Sequence, residues 1–239
     1  MKVFLSILFI CSFTFCKAQN NYPKLEAYAA PGFFFEHLSN DSLVPPERRN
    51  KTRLGDYGSY VVQFALPLKN KRFTVKAGAG FTTRHYSLNK YSLFPIFFFP
   101  GQDGFTIRHV KFTNHYFQVP VSGAYTVTKS LHNFQLAVGL TLRSDFLNKS
   151  NADITFDSTY KVPTSSDINQ AKTIYTEQAT KYVATIEPYA EGSFIVYKNF
   201  GALIQLRPFS FYTSKLDKRL TTSSVEIFSS TFGIFYRLK

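Results

Sequence analysis

The fold is decided by the segment from Asn133 to Phe146, which reads NFQLAVGLTLRSDF. Large apolar residues occupy every second position as far as Leu142, and the positions between them hold polar, small or charged residues. Strict alternation over this length predicts a β-strand with one apolar and one polar face. Segments 73–87 and 225–238 alternate in the same way. The chain is therefore predicted to contain long, two-faced strands.

Alternating segments of this kind recur along the chain, and turn residues separate them. Eight strands are predicted, over residues 24–36, 59–68, 73–87, 116–128, 133–146, 182–197, 200–212 and 225–238. Two of them are less regular, because Pro31 falls in an apolar column and Phe209 shares a column with Arg207. We expect a β-bulge in each of these two strands, since a bulge shifts the alternation by one residue.

The connections between the strands alternate between short and long. Tight turns are predicted near 69–72, 129–132 and 198–199, and longer connections over 37–58, 88–115, 147–181 and 213–224. Outer-membrane barrels show this asymmetry, and they are apolar outside and polar inside, whereas a soluble lipid-binding barrel has the reverse polarity. We predict an all-β fold: an eight-stranded antiparallel up-and-down transmembrane β-barrel with short periplasmic turns, long extracellular loops and aromatic girdles.

The N-terminus has the features of a cleavable secretory signal. Lys2 precedes an apolar run over residues 3–15, and small residues lead to a cleavage site after Ala18. The run is shorter than the ~20 apolar residues that a membrane-spanning helix needs. We therefore expect a Sec-type signal peptide over residues 1–18 and one barrel domain over residues 19–239 in the outer membrane of a Gram-negative cell. Both cysteines lie in the signal, which excludes disulfides and thiol catalysis in the mature chain.

The chain has a large basic excess, with 28 Lys and Arg against 15 Asp and Glu and a formal net charge of +13. A basic excess indicates phosphate-rich partners. An exported protein does not meet nucleic acid, so the expected partners are outer-membrane lipid and the phosphates of lipopolysaccharide. The residues expected to contact lipopolysaccharide at the extracellular rim are Arg53, Lys111, Lys215, Lys218 and Arg219, with a solvated loop surface as the alternative.

Three short features resemble the PorT-like outer-membrane β-barrel proteins of the Bacteroidota. They are a signal ending in Ala-Gln at 18–19, the steps Leu66-Pro67 and Val119-Pro120, and the closing stretch TFGIFYRLK at 231–239. The resemblance implies a small eight-stranded barrel in a family of which some members are implicated in protein secretion or gliding machinery. The chain departs from that family in its first strand, where Gly32 is the single glycine.

Ionisable residues in the polar columns are candidates for a buried charge network. An eight-stranded barrel has an interior that side chains can fill, and charges buried there must be paired. We therefore expect a structural salt-bridge network rather than a conducting pore or a catalytic carboxylate pair. The residues assigned to this lumen network are Glu26, Lys76, Arg84, Arg143, Asp145, Glu187, Glu191, Arg207 and Arg237.

The second long connection contains an unusually apolar segment. Its large apolar residues are Leu93, Phe94, Ile96, Phe97, Phe98 and Phe99. Extracellular loops are normally polar, and exposed apolar surface is costly. The segment is expected to be a lid on the barrel mouth, a surface for a protein partner, or a segment that enters the lipid.

The sequence contains no phosphate-binding loop, zinc-spaced histidine cluster or nucleophile elbow. It favours a non-enzymatic barrel without cofactor or metal, acting as a structural or interaction protein. The resemblance to PorT-like proteins implies that it is an accessory of a secretion or surface assembly, with another outer-membrane or surface protein as partner. Two alternatives stay open. One is a narrow pore, and the other is a lipid A hydrolase, because His85 and Ser87 resemble the His-x-Ser pair of outer-membrane lipid A deacylases.

Overall fold

The structure, a computed structural model, describes residues 22–44, 48–68, 72–89, 107–128, 134–156 and 164–238. Within these ranges eight antiparallel strands close into one barrel in sequence order, and the last strand pairs with the first. The strands are β1 (Lys24–Leu38), β2 (Thr52–Pro67), β3 (Phe73–Asn89), β4 (Ile107–Thr126), β5 (Phe134–Phe156), β6 (Tyr182–Tyr197), β7 (Phe200–Tyr212) and β8 (Thr221–Arg237). A helix, α1 (Ser165–Thr176), follows β5 along the chain. The predicted all-β, eight-stranded up-and-down barrel is confirmed.

Two predictions fall on residues outside the described ranges. They are the signal peptide over residues 1–18 and the lid or partner segment over residues 93–99. Both stay predictions. No helix in the described part of the chain has both the length and the apolar character needed to cross a membrane.

The two faces of the strands differ as the alternation predicts. In β5, Leu136, Leu140 and Leu142 point outward and are about half exposed, whereas Arg143 and Asp145 are buried inside the barrel. The same division holds along β3 and β8. The barrel therefore has an apolar outer wall and a polar interior, an arrangement that is stable in hydrocarbon and not in water.

A row of outward aromatic residues crosses five neighbouring strands. The row, which we call the aromatic belt, consists of Tyr60, Phe81, Phe117, Phe146 and Tyr182, and each residue pairs in register with the next. All five side chains are exposed on the outer wall. Aromatic girdles of this kind mark the interface between hydrocarbon and headgroups. Because the strands of such a barrel are tilted, a row of directly paired residues runs obliquely to the membrane plane, so the belt marks the side nearest to the long connections rather than one height. We call the part of the barrel beyond the belt the outer end.

On β1 and β2 the outer wall stays apolar beyond the level of Tyr60, with Phe33, Phe35 and Leu54 exposed, but on β3, β4 and β5 the polarity of the wall reverses beyond the belt. The outward residues there are polar, and two of their pairs lie within hydrogen-bonding distance: Thr83 Oγ1 with His115 Nδ1 at 3.0 Å, and His85 Nδ1 with Thr113 Oγ1 at 3.2 Å. The inward residues include a group of large apolar side chains, among them Phe112, which is 1% exposed. This part of the wall therefore stands in water and encloses an apolar core of its own.

Six strands extend further at the outer end than the sequence predicts, β1 and β3 by two residues and four others by more. β2 starts at residue 52 instead of 59, β4 at 107 instead of 116 and β8 at 221 instead of 225, while β5 ends at 156 instead of 146. In β4 and β5 the prediction of loops was wrong because the apolar residues change from the outer to the inner face beyond the belt, and in β2 and β8 because the added residues are mostly polar or glycine. The strands stay paired there, but the alternation with apolar residues on the outer face, which identified the membrane part in the sequence, ends.

The bulge predicted in β7 is confirmed, and the one predicted in β1 is wrong. Pro31 points outward within a regular strand. In β7 the inward positions change from odd to even numbers at Pro208. In β8 they change from even to odd numbers around Phe228, which has a φ of 51°. The two bulges lie opposite each other, so the pairing register between β7 and β8 is the same on both sides of them. The register of β7 with β6, and that of β8 with β1, shifts by one residue. The paired bulges return Phe209 and Phe228 to the outer wall.

Candidate functional site

The lumen near the short turns is crossed by a three-residue ion cluster. Lys76 on β3 lies between two carboxylates, with its Nζ 3.0 Å from Glu26 Oε2 and 2.5 Å from Glu191 Oε2. The amide of Gln63 donates to Glu26 at 2.6 Å, and that of Gln205 donates to Glu191 at 2.7 Å. The inner cluster of Lys76, Glu26 and Glu191 thus joins five strands through buried, charge-assisted hydrogen bonds.

The middle of the lumen is crossed by a continuous row of five charges. Arg84 Nη2 is 2.5 Å from Asp145 Oδ2, and Arg143 Nε is 3.2 Å from the same oxygen. Arg143 also pairs with Glu187, whose other oxygen lies 3.1 Å from Arg207 Nη1. All five side chains are buried. We call Arg84, Asp145, Arg143, Glu187 and Arg207 the central row.

Eight of the nine residues assigned to the lumen network lie in the inner cluster or the central row. Arg237 was wrongly included: it is partly exposed at the short-turn end, 6.0 Å from the Phe235 ring, and forms no ion pair within the described residues. Glu226 was missed. It accepts hydrogen bonds from the hydroxyls of Tyr57 and Tyr212 and lies 3.7 Å from Arg143 Nη2.

A third cluster lies at the outer end of the lumen. Arg53 Nε is 2.5 Å from Glu36 Oε2, and Arg53 Nη2 is 2.6 Å from Asp217 Oδ2. The Tyr86 hydroxyl donates to Asp217 at 2.7 Å, and the Arg53 guanidinium lies 4.0 Å from the centre of the Tyr86 ring. The prediction that Arg53 contacts lipopolysaccharide is therefore wrong. It faces inward because β2 begins before it, where a loop was expected. Arg53, Glu36 and Asp217 form the outer cluster.

The mouth of the barrel is covered by a folded cap. The cap consists of α1, residues 177–181 and residues 213–220. Its two chain segments pair through backbone hydrogen bonds from Thr180 to the Leu216 carbonyl at 2.9 Å and from Lys218 to the Gln178 carbonyl at 2.8 Å. Asp217 lies in the cap, so the ion pair with Arg53 fastens the cap to the lumen.

An apolar core joins the cap to the outer parts of the strands. Ala171 and Tyr175 are the buried residues of α1, and the Tyr175 ring packs edge-on against Phe112 at 5.8 Å between ring centres. Burial raises the pKa of the Tyr175 hydroxyl to about 12. The fully or nearly buried apolar residues of this core are Phe34, Leu38, Val44, Tyr57, Tyr86, Leu88, Val110, Phe112, Tyr116, Ala152, Ala171, Tyr175, Val183, Leu216 and Leu220. The barrel mouth is thus closed by the cap and this core.

A family model described as "Outer membrane protein beta-barrel domain" matches residues 17–220. The chain belongs to this family. Its barrel therefore lies in the outer membrane, and the predicted location is confirmed. The outer end with its cap is the extracellular end, since the long connections of outer-membrane barrels are extracellular.

Three solved structures are similar to this outer-membrane barrel. The attachment invasion locus protein Ail of Yersinia pestis, in complex with the heparin analogue sucrose octasulfate, is 12% identical, with a TM-score of 0.39 over 92% of this chain and 100% of that one. The translocator domain of the autotransporter NalP of Neisseria meningitidis is 9% identical, with a TM-score of 0.31 over 99% and 98% of the two chains. The transport unit of AIDA-I of Escherichia coli is 9% identical, with a TM-score of 0.32 over 98% and 97%. No curated protein matches the sequence.

Four of the residues predicted to contact lipopolysaccharide are exposed at the extracellular end of this outer-membrane barrel. They are Lys111 on the wall of β4 and Lys215, Lys218 and Arg219 in the cap. The Lys218 ammonium donates to the Glu177 carbonyl at 3.0 Å, and Arg219 pairs with Asp41 at 2.9 Å. Lys149 and Lys181 are exposed at the same end. The extracellular end of the barrel therefore presents several solvent-accessible cations.

The Asp41–Arg219 pair joins the connection between β1 and β2 to the cap. Two guanidinium nitrogens of Arg219 donate to the two Asp41 oxygens at 2.9 Å each, a bidentate arrangement. Partial burial opposes ionisation of Asp41, but the hydrogen bonds from Arg219 and the Leu43 amide prevail, and its pKa lies below the usual value. The pair therefore binds best when Asp41 is ionised.

His85 and Ser87 lie on the outer wall beyond the aromatic belt. His85 Nδ1 is 3.2 Å from the Thr113 hydroxyl, and Ser87 lies opposite Lys111 in the β3–β4 ladder. Asp56 lies opposite His85 on β2, but no ion pair joins these two residues within the described ranges. The side chain within hydrogen-bonding distance of His85 is thus that of Thr113.

Proposed function

We propose that this protein is a non-enzymatic, non-conducting barrel that displays a rigid extracellular surface to lipopolysaccharide and to a neighbouring surface protein. The observation that carries the proposal is the connection between lumen and cap. Arg53 links the barrel wall to Asp217 in the cap, so the charges that fill the lumen also hold the extracellular surface in place.

The filled lumen supports the non-conducting part of the proposal. The inner cluster, the central row and the outer cluster cross the barrel at three successive levels, and the cap covers the last of them. Separating one partner of a buried ion pair from the other costs about 3–5 kcal/mol. An open channel would require several such separations at once, which ordinary thermal fluctuation does not supply.

The distribution of charge supports lipopolysaccharide as a partner. The buried ion pairs of the described residues contain seven carboxylates and five cations, so the lumen does not account for the basic excess of the chain. That excess lies outside these pairs, and exposed lysines stand at the extracellular end. Cations near a membrane surface attract anionic headgroups by about 1 kcal/mol each, and salt screens the attraction.

The test is lipopolysaccharide binding by the detergent-folded protein at several salt concentrations. Changing Lys111, Lys215 and Lys218 together to Gln should weaken binding by about tenfold or more at low salt, because three attractions are removed. Lys198→Gln is the matched control, since Lys198 is exposed in the tight turn between β6 and β7 at the periplasmic end. Equal binding by the triple variant and the wild type would contradict the proposal.

The non-enzymatic part of the proposal rests on the surroundings of His85. Its Nδ1 faces the Thr113 hydroxyl on the partly exposed strand wall, and no carboxylate forms an ion pair with it within the described residues. A catalytic histidine normally has an orienting group and a pocket that excludes water. Mass spectrometry of lipid A from cells with and without the protein should show the same acyl chains, and a lost acyl chain would contradict this part.

Two finer predictions remain part of the proposal. The resemblance to PorT-like proteins favours a role as an accessory of a secretion or surface assembly, and proteins recovered after gentle detergent extraction would identify that assembly. Export by a signal peptide over residues 1–18 predicts that the mature protein begins at Gln19. Sequencing of the N-terminus of the membrane-inserted protein tests this, and an intact Met1 would contradict it.

A further inference from the structure

A cleft of about 270 Å³ lies between α1 and the outer faces of β4 and β5. Its lining residues are Thr113, Asn151, Ala152, Asp153, Lys172 and Thr176. Both sides of the cleft are regular secondary structure, and the buried side chains of Ala171 and Tyr175 anchor α1 beside it. The cleft is therefore formed before any ligand arrives, which lowers the entropic cost of binding.

The height of the cleft places it in the sugar layer of the outer membrane. Thr113 lies four residues beyond Phe117 of the aromatic belt, and Asn151 lies five residues beyond Phe146. With about 3.3 Å per residue and a strand tilt of about 40°, the cleft stands roughly 10–13 Å above the belt. Lipopolysaccharide molecules that surround the barrel present their inner sugars at this distance from the hydrocarbon.

The lining of the cleft fits hydroxyl groups better than phosphates. Asn151 offers an amide that both donates and accepts, Lys172 an ammonium, and Asp153 a carboxylate. The hydroxyls of Thr113 and Thr176 are held in place, the first beside His85 and the second by the Lys172 carbonyl at 3.0 Å. One positive and one negative side chain leave the lining of the cleft itself without net charge.

We propose that this cleft binds a neutral, hydroxyl-rich sugar of the lipopolysaccharide core. The inference rests on the proposed function for the identity of the partner, but it concerns a cleft beside Lys111, which pairs with Asp153 in the β4–β5 ladder, and a different force. The exposed lysines attract phosphate through charge, which salt screens. The cleft recognises sugar hydroxyls through short-range hydrogen bonds, which salt hardly affects.

The test uses core oligosaccharide released from lipopolysaccharide by mild acid, then dephosphorylated and with the carboxylate of its keto-acid sugar reduced to an alcohol, so that the probe contains neither lipid nor a charged group. Calorimetric titration of the detergent-folded full mature chain should show binding. Its affinity should change by less than about twofold between about 0.05 and about 0.5 M salt, because no charged group of the ligand is involved. Binding that disappears at the higher salt would contradict the proposal.

Variants locate the site. Asn151→Leu combined with Thr113→Val should weaken binding of the oligosaccharide by about tenfold or more, because hydrogen-bonding partners on both strands are lost. Thr155→Val is the matched control, since Thr155 is exposed on β5 and does not line the cleft. Asn151→Ala alone serves if the double variant fails to fold, and it should weaken binding in the same direction. Unchanged binding by a folded variant would overturn the proposal.

The outcomes separate this proposal from the proposed function. If the neutral oligosaccharide fails to bind while whole lipopolysaccharide binds in a salt-sensitive way, the cleft proposal is wrong and the proposed function stands. If neither binds, both are wrong. Equal binding of a plain glucose oligomer would contradict the assignment to the lipopolysaccharide core, because the cleft would then accept sugars of any source.

Discussion

Arg207 ends the central row of lumen charges, where its Nη1 lies 3.1 Å from Glu187. Arg207→Ala removes one of the two arginines that neutralise this buried carboxylate. Breaking a buried pair typically costs about 3–5 kcal/mol. We expect a clear loss of heat stability, measured as a lower temperature at which the folded band disappears on an electrophoresis gel.

Arg237→Ala is the matched control for that experiment. Arg237 is partly exposed at the periplasmic end and lies outside the buried ion pairs. Its removal should change the transition temperature little, because an exposed arginine contributes about 0–1 kcal/mol. Equal destabilisation by the two substitutions would contradict the assignment of Arg207 to the network.

The Asp41–Arg219 pair predicts a change in the cap at low pH. The pKa of Asp41 is lower in the folded protein than its usual value, so the stabilisation is fully present above the usual value of about 4 and is lost as the pH falls through the folded value. Because the pair is partly exposed, the effect should stay below about 1 kcal/mol. The measurement is the NMR signal of the Arg219 side chain between pH 7 and pH 2.

Asp41→Asn provides the comparison, since it keeps the shape of the side chain and cannot ionise. The variant should show no transition of the Arg219 signal in that pH range. A transition of the same size in the variant would mean that another group causes it.

Single residues show how far sequence reasoning could reach. Alternation was enough to place Lys76, Arg143 and Glu187 in the lumen, because inward and outward residues alternate without interruption in the membrane part of their strands. Glu226 was missed because the alternation of the later residues of β8, continued back to position 226, places it on the outer face. The bulge that lies between shifts the alternation by one residue, so Glu226 faces the lumen. A glutamate within an apolar column is itself a sign of a bulge, since a lone charge on a lipid-facing wall is costly.

At the scale of elements, the part of the fold that sequence reasoning missed is the extracellular end. There β4 and β5 continue beyond the belt with polar residues outside and apolar residues inside, the reverse of their membrane part. The helix α1 was missed as well, although Thr164 and Asp167 form a capping box at its start. A helix with two buried residues, Ala171 and Tyr175, shows too weak a periodicity to be recognised against so many strands.

The cap should unfold independently of the barrel when its anchor is removed. Tyr175 is 3% exposed and packs against Phe112, and truncating a buried aromatic residue costs about 3–5 kcal/mol. Tyr175→Ser should therefore speed hydrogen exchange over residues 165–181. Exchange in the membrane part of β5 should stay slow, because local unfolding need not involve the barrel.

Thr173→Ala is the control for the cap experiment, since Thr173 is on the same helix but exposed. It should leave exchange in α1 nearly unchanged. If Tyr175→Ser left exchange in α1 slow, the cap would be held by other contacts. If the variant failed to fold at all, the cap and the barrel would be one cooperative unit.

At the scale of the whole molecule, the barrel, the lumen charges and the cap form one closed object. The outer wall faces lipid, the three clusters fill the interior, and Asp217 carries the connection from the lumen into the cap. A barrel of eight strands leaves room for side chains and little else. This closed interior supports the proposal that the protein acts through its extracellular surface rather than through its interior.

Planar-bilayer recording of the purified wild-type protein tests this conclusion most directly. We expect no steady open channel after insertion, because current would have to pass the central row and the apolar core beneath the cap. Insertion itself is checked by recovering the folded protein from the same lipid. A steady conductance that scales linearly with voltage in correctly inserted wild-type protein would contradict the closed barrel.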